Sequence, residues 1–215
     1  MQLYSFEESG NSYKVRLLCA LLGVAPELRN VSLLDDEQHQ PPFIDFNPRG
    51  EVPVLVDGEL VLRDSSAILL YIAGKHGNGL WWPADVARQA KVMEWLAFAA
   101  SWVQYGVFTA RALVSFGIPA NGLPADFQGE ALAAAHIRAR RSLEILETEL
   151  ATQAWLALGR PTIADIAVFP YIALAPMGEV SLTPYPAVRA WIDRIKQLPG
   201  FVSMPGLEDP MYRRA

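Results

Sequence analysis

The chain is 215 residues long, 52% hydrophobic and 19% charged, a composition that fits a folded globular protein and excludes a disordered one. Its net charge of −5 and pI near 5.2 argue against a nucleic-acid or anionic-membrane partner. A single cysteine, Cys19, excludes an internal disulfide and suits a reducing compartment.

Residues 2–6 read as a strand and 12–22 as a helix, with Val15, Leu18, Cys19 and Leu22 on one face. A second strand is expected at 28–33, then a polar stretch and a short helix near Phe43. Residues 54–56 and 60–62 flank Asp57-Gly58, a strong two-residue hairpin signal, and a helix should run over 65–75. The order β-α-β-α-β-β-α describes a mixed sheet with helices on its faces. A breaker-rich connector follows at 77–83. Beyond it only helical patterns appear, at 87–116, 125–152, 163–174 and 187–198. The expected organisation is an α/β domain over 1–76, a linker over 77–86 and an all-α domain over 87–215. The opening MQLYSFEESG lacks the basic and apolar regions of a signal peptide. No apolar stretch approaches a membrane span, so a cytoplasmic chain is expected.

Several chemistries lack their patterns. There is no GxxxxGK[ST] loop, no GxGxxG after a strand and no GxSxG elbow. His39, His76 and His136 stand far apart and in no metal-ligand spacing, so no metal is expected. The first strand–helix junction, Ser9-Gly10-Asn11-Ser12-Tyr13-Lys14-Val15-Arg16, offers hydroxyls and an amide at a helix N-terminus but no thiol. On the residues alone, Ser9, Asn11 and Ser12 could simply cap that helix, and Asp64 or Ser65 the one after the hairpin. Pro53 cannot donate to a sheet ladder, so it reads as a turn proline ahead of an edge strand.

Four segments change the weight of these readings. They are SGNSYKVRL at 9–17, NPRGEVPVL at 47–55, RDSSAI at 63–68 and GRPTIADIAVFPYI at 159–172. In this order and spacing the chain resembles a glutathione transferase over essentially its whole length. The resemblance implies a thioredoxin-like, glutathione-binding N-terminal domain, an all-helical C-terminal domain, glutathione as co-substrate and a homodimer. It also implies a cis Val52–Pro53 bond, which would turn the backbone N–H and C=O of Val52 toward the peptide ligand, as in strand addition. By the same resemblance, Ser65 would take the γ-glutamyl carboxylate, and Asp64 would sit near its ammonium. The family more often has Glu or Gln where Asp64 stands. Gln38 and His39 are the candidates for the ligand's glycine carboxylate, although solvated loop residues would look the same.

Ser9 matches the catalytic serine or threonine of the zeta-, theta- and Nu-like members, and Asn11 and Ser12 are candidate second donors. A free thiol has a pKa near 8.5, and lowering it by ~2 units needs roughly 2.7 kcal/mol of preference for the anion. A hydrogen bond to a charged group supplies about 1.5–3 kcal/mol, and a helix N-terminus about 0.3–1. A hydroxyl at that helix end therefore suffices without a general base. Tyr4, on the strand, is the weaker donor candidate, because alternation should bury it. Cys19 lies on an apolar stripe and reads as core.

Trp95, Phe98, Trp102, Tyr105 and Phe108 recur at helical spacing, and Trp102, Tyr105 and Arg111 are the candidates for the electrophile pocket. Thr162 followed by Asp165 is a capping box, so Asp165 reads as structural. The implied reaction is attack of the glutathione thiolate on a small hydrophobic electrophile. The alternatives are glutathione-dependent disulfide or peroxide reduction, to which Asn11 points, and a non-catalytic binding protein. Glu51, an acid beside an anionic tripeptide, keeps the last one open.

Overall fold

The computed structural model describes residues 1–118 and 127–213; the start of the helix expected from residue 125 lies outside them. The first half follows the expected order: β1 (Gln2–Ser5), α1 (Gly10–Leu21), β2 (Glu27–Asn30), α2 (Phe43–Phe46), β3 (Val54–Asp57), β4 (Leu60–Leu62) and α3 (Ser65–His76). The four strands form one sheet in the order β2-β1-β3-β4, parallel between β1 and β2 and antiparallel elsewhere. Period-two alternation divides the sheet residues between two cores. Leu3 and Leu55 face α1 and α3 with Leu17, Leu18, Ile68 and Ile72, all fully buried. Tyr4 and Val54 face the other way, into a smaller cluster with Val31, Phe43 and Val52. Pairing of β1 with β3 ends at Tyr4↔Val54, leaving Val52 beyond the ladder, and the Val52–Pro53 bond is cis.

The second half is helical: α4 (Val86–Phe98), a π-helical stretch at Ala99–Phe108, α5 (Thr109–Phe116), α6 (Gln128–Leu150), α7 (Ile163–Ala173) and α8 (Pro186–Lys196). A thioredoxin-like β-α domain is thus followed by an all-helical one. One core runs through both, since Leu17 and Leu18 of α1 share it with Phe169 and Ile172 of α7 and Trp191 of α8. Tyr13 adds a polar tie at this seam, its hydroxyl donating to the Val202 carbonyl at 2.6 Å. Among the described residues no helix is long and apolar enough to cross a membrane.

Asp165 organises the helical half. Its carboxylate accepts from the Thr162 N–H at 2.9 Å while Thr162 Oγ1 accepts from the Ala164 N–H, which is the expected capping box. The same carboxylate also accepts from the Leu156 N–H and the Trp191 indole, each at 3.0 Å. It is fully buried, and burial pushes its pKa up to about 6 against the pull of these donors. Between pH 4 and 6 the folded protein therefore keeps a proton that the unfolded chain has released. Stability from this group is present at low pH and falls as pH rises through that window. Urea unfolding of wild type and Asp165→Asn at pH 4 and pH 7 checks this. The stability gap between them is expected to shrink by roughly 2–3 kcal/mol at the higher pH. A constant gap would mean that the carboxyl titrates normally.

Candidate active site

The site is built around the first turn of α1. Ser9 is its N-cap, in extended backbone, and Ser9 Oγ accepts from the Ser12 N–H at 3.2 Å. That bond uses a lone pair of the hydroxyl and leaves its hydrogen free to donate. Capping and thiolate binding are thus compatible in one side chain. Ser12 is different. It is fully buried, and its hydroxyl oxygen accepts from the Phe6 N–H at 3.4 Å, holding the β1–α1 loop from inside. The first turn of the helix thus points the Ser12 side chain inward.

Gly10 is glycine because Tyr171 of α7 lies against it; a Cβ there would come within 2.5 Å of the ring. The Tyr171 hydroxyl also accepts from the Asn11 backbone N–H, and burial raises its pKa. The Asn11 side chain turns to Lys14, whose Nζ donates to Oδ1 at 2.8 Å. Lys14 is only 4% exposed, lies 5.2 Å from the Tyr171 ring centroid, and is lowered to about pKa 8 by burial, partly opposed by the charge of Asp64.

Asp64 is the cap of α3, its Oδ1 accepting from the Ser66 and Ala67 N–H groups at 2.8 and 3.1 Å. Ser65 is the first helical residue and is buried. Val52 and Pro53 are buried as well. His39 lies against Gly50, which has φ +60°, and a Cβ on Gly50 would sit 2.6 Å from its Nε2. A side chain at position 50 would be excluded by both backbone and neighbour. His39 therefore stands beside the Val52 loop. Gln38 and His39 both bond Asp36 Oδ1, at 2.9 and 2.6 Å. Asn47, unassigned by the sequence reading, is fully buried and braces this loop by donating to the Glu51 carbonyl at 2.6 Å. Glu51 itself is exposed.

Tyr4 lies on the opposite face of the sheet, 4.8 Å from the Phe46 ring. Cys19 is 3% exposed, and burial pushes its thiol up to about 12, so it is no nucleophile at neutral pH. Among the described residues no group of three or more His, Cys, Asp and Glu side chains could hold a metal.

The aromatic stripe divides. Trp102 and Tyr105 meet Arg138 of α6, whose guanidinium lies 4.7 and 5.9 Å from their ring centroids. Phe108 instead meets Tyr171 edge-on at 5.0 Å and so approaches α1. The stripe is drawn on an α-helical period, whereas Ala99–Phe108 is π-helical. The π-helical bonds, i to i+5, widen the turn and rotate the stripe. Arg111 is 4% exposed. Its Nη2 donates to the Glu8 carbonyl at 3.2 Å, and its guanidinium covers Phe116, so it braces the residue before Ser9 and is not an open wall.

Glu8, 8% exposed, ties the end of the chain to the same loop: its Oε1 accepts from Tyr212 Oη at 2.8 Å and Arg213 Nε at 2.7 Å. Glu8→Ala is expected to lower stability by about 1 kcal/mol, because Arg213 is partly solvated. It should also make the C-terminal residues more open to carboxypeptidase. Unchanged trimming would show that the contact does not hold the tail.

The chain matches two family descriptions in sequence: "Glutathione S-transferase, N-terminal domain" over residues 3–79 and "Glutathione S-transferase, C-terminal domain" over residues 129–194. Glutathione S-transferase D7 of Anopheles gambiae is 31% identical over 195 residues, covering 90% of this chain and 85% of that protein. The crystal structure of a glutathione S-transferase from Xanthobacter autotrophicus superimposes with a TM-score of 0.84 at 32% identity, covering 97% of this chain and 98% of the other. A glutathione transferase homologue from Drosophila mojavensis, crystallised with bound glutathione, superimposes with a TM-score of 0.80 at 25% identity, over 98% and 94% of the two chains. This chain therefore belongs to the glutathione S-transferase family.

Proposed function

We propose that the protein binds glutathione between the Val52 loop, the Asp64–Ser65 helix start and the first turn of α1, and activates its thiol for attack on a small hydrophobic electrophile. The observation that carries this reading is Ser9, whose hydroxyl caps α1 as an acceptor and keeps its hydrogen for an anion at the helix N-terminus. The Val52 backbone lies outside the ladder, where an extended peptide can pair with it. Asp64 and Ser65 open α3, where the Ser65 hydroxyl at the positive end of the helix suits a carboxylate, while Asp64 Oδ1 already holds the Ser66 and Ala67 N–H groups. His39 and Gln38, whose segment lies against Gly50, are the contacts proposed for the glycine end of the ligand. The sulfur then falls near Ser9 and Asn11. Its lone pair forms the new bond to the electrophile as the leaving group departs with its own electron pair.

The proposal includes a homodimer, a cytoplasmic location and domain limits of 1–76 and 87–215 around a 77–86 linker. Disulfide reduction is a second reading, favoured by the buried cation behind Asn11. The test is a titration of the bound thiol by its ultraviolet thiolate absorbance, with turnover of an aryl halide and of a mixed disulfide. The expected result is a thiol pKa below about 8.5 and aryl-halide turnover. Turnover of the disulfide alone selects the second reading. Binding with an unshifted thiol and neither turnover overturns both and leaves a binding protein.

A further inference from the structure

We propose that Lys14 is a positioning residue: its buried ammonium fixes the side-chain amide of Asn11 so that the Nδ2 hydrogens are presented to the sulfur of bound glutathione. This rests on the reading of the α1 turn as the thiolate site.

The orientation follows from donor chemistry. An ammonium carries three donors and no acceptor, so only the amide oxygen can face it, and Lys14 Nζ lies 2.8 Å from Asn11 Oδ1. The amide is planar, with its NH₂ at the other end, so that group is directed away from the lysine. The rest of Asn11 is also held, because its backbone N–H donates to the Tyr171 hydroxyl. Without Lys14 the amide could turn its oxygen, an acceptor that repels a thiolate, toward the ligand.

The surroundings of Lys14 fit this role better than a purely structural one. Its side chain is 4% exposed, and among the described residues no carboxylate lies within ion-pair distance of Nζ. A buried charge ordinarily takes a direct counter-ion. Here its company is an amide oxygen, the face of Tyr171 and the more distant charge of Asp64. A cation behind an amide in a low-dielectric interior polarises it and strengthens the N–H donors at its far end. Negative charge arriving on those donors would complete the arrangement.

The test uses the full-length protein saturated with glutathione, with the thiolate absorbance titrated in wild type, Lys14→Met, Asn11→Ala and the double variant. Lys14→Met is expected to raise the pKa of the bound thiol by about 0.5–1 unit, equivalent to a roughly three- to tenfold loss in thiolate formation. Glutathione affinity should change less than twofold, and the double variant should titrate as Asn11→Ala does. Lys14→Gln keeps a donor for Oδ1 and should recover at least half of the shift. It also serves as the primary variant should Lys14→Met not fold. A purely structural lysine would lower the melting temperature and leave the titration in place. An unmoved titration in Lys14→Met, or a shift that adds fully to that of Asn11→Ala, overturns the inference while the thiolate site stands. An unshifted thiol in the wild type overturns the thiolate site and this inference with it.

Discussion

Asp165→Ala is expected to remove about 3–5 kcal/mol of stability, well above the roughly 0.5–2 kcal/mol of an exposed cap. The difference lies in what the carboxylate leaves behind. The N–H groups of Leu156 and Thr162 and the indole of Trp191 would lose their acceptor in a fully buried place, and each such orphan costs about 1–3 kcal/mol. Relief from desolvating the carboxylate offsets part of that sum. At about 2–4 °C per kcal/mol for a chain of this size, the melting temperature should fall by roughly 6–20 °C. Turnover at low temperature, where the variant remains folded, should keep its kcat. Unchanged melting with lost turnover would make Asp165 part of the site.

Ser9→Ala should have the largest effect on chemistry. Losing a charged hydrogen bond of roughly 1.5–3 kcal/mol would raise the pKa of the bound thiol by about one to two units. At pH 6.5, with a wild-type thiol lowered by ~2 units, the thiolate fraction, and with it kcat/KM, should drop by roughly five- to fiftyfold. Glutathione affinity should fall much less, since the contacts proposed for Val52, Asp64 and Ser65 are to parts of the ligand remote from the sulfur. Loss of the Ser9 cap would add a modest stability cost of about 1 kcal/mol. A Ser9→Ala protein with wild-type titration would move the thiolate to Asn11 alone.

What could be read from the sequence was what depends on short stretches. The hairpin, which turns at Gly58-Glu59, one residue after the expected pair, is set by adjacent residues, and the helix starts at Ser9 and Asp64 and the capping box at Thr162 are local devices whose side chains bond within a few residues. Asp165 was legible as a cap and illegible as a hub, because Leu156 and Trp191 reach it from other elements. Lys14 shows the same limit. Its place in SGNSYKVRL was plain, yet its burial depends on Tyr171 of α7 folding over the α1 turn. The facing of the aromatic stripe was illegible for a different reason. Spacing assigns a helix face only when the period is known, and the π-helical run at Ala99–Phe108 changes it. Arg111, a candidate pocket wall in the sequence, is buried against a carbonyl that no motif marks.

The seam between α1 and α7 has a consequence during synthesis. The four strands β1–β4 and the first three helices emerge from the ribosome before α7 exists, and N-terminal units generally begin to fold first. Until Phe169, Tyr171 and Ile172 arrive, the outer side of α1 is an uncovered apolar surface on an otherwise formed sheet domain. That interval is when the nascent chain is most open to chaperones and to aggregation. A ribosome stalled within α6 would leave it exposed for as long as the stall lasts.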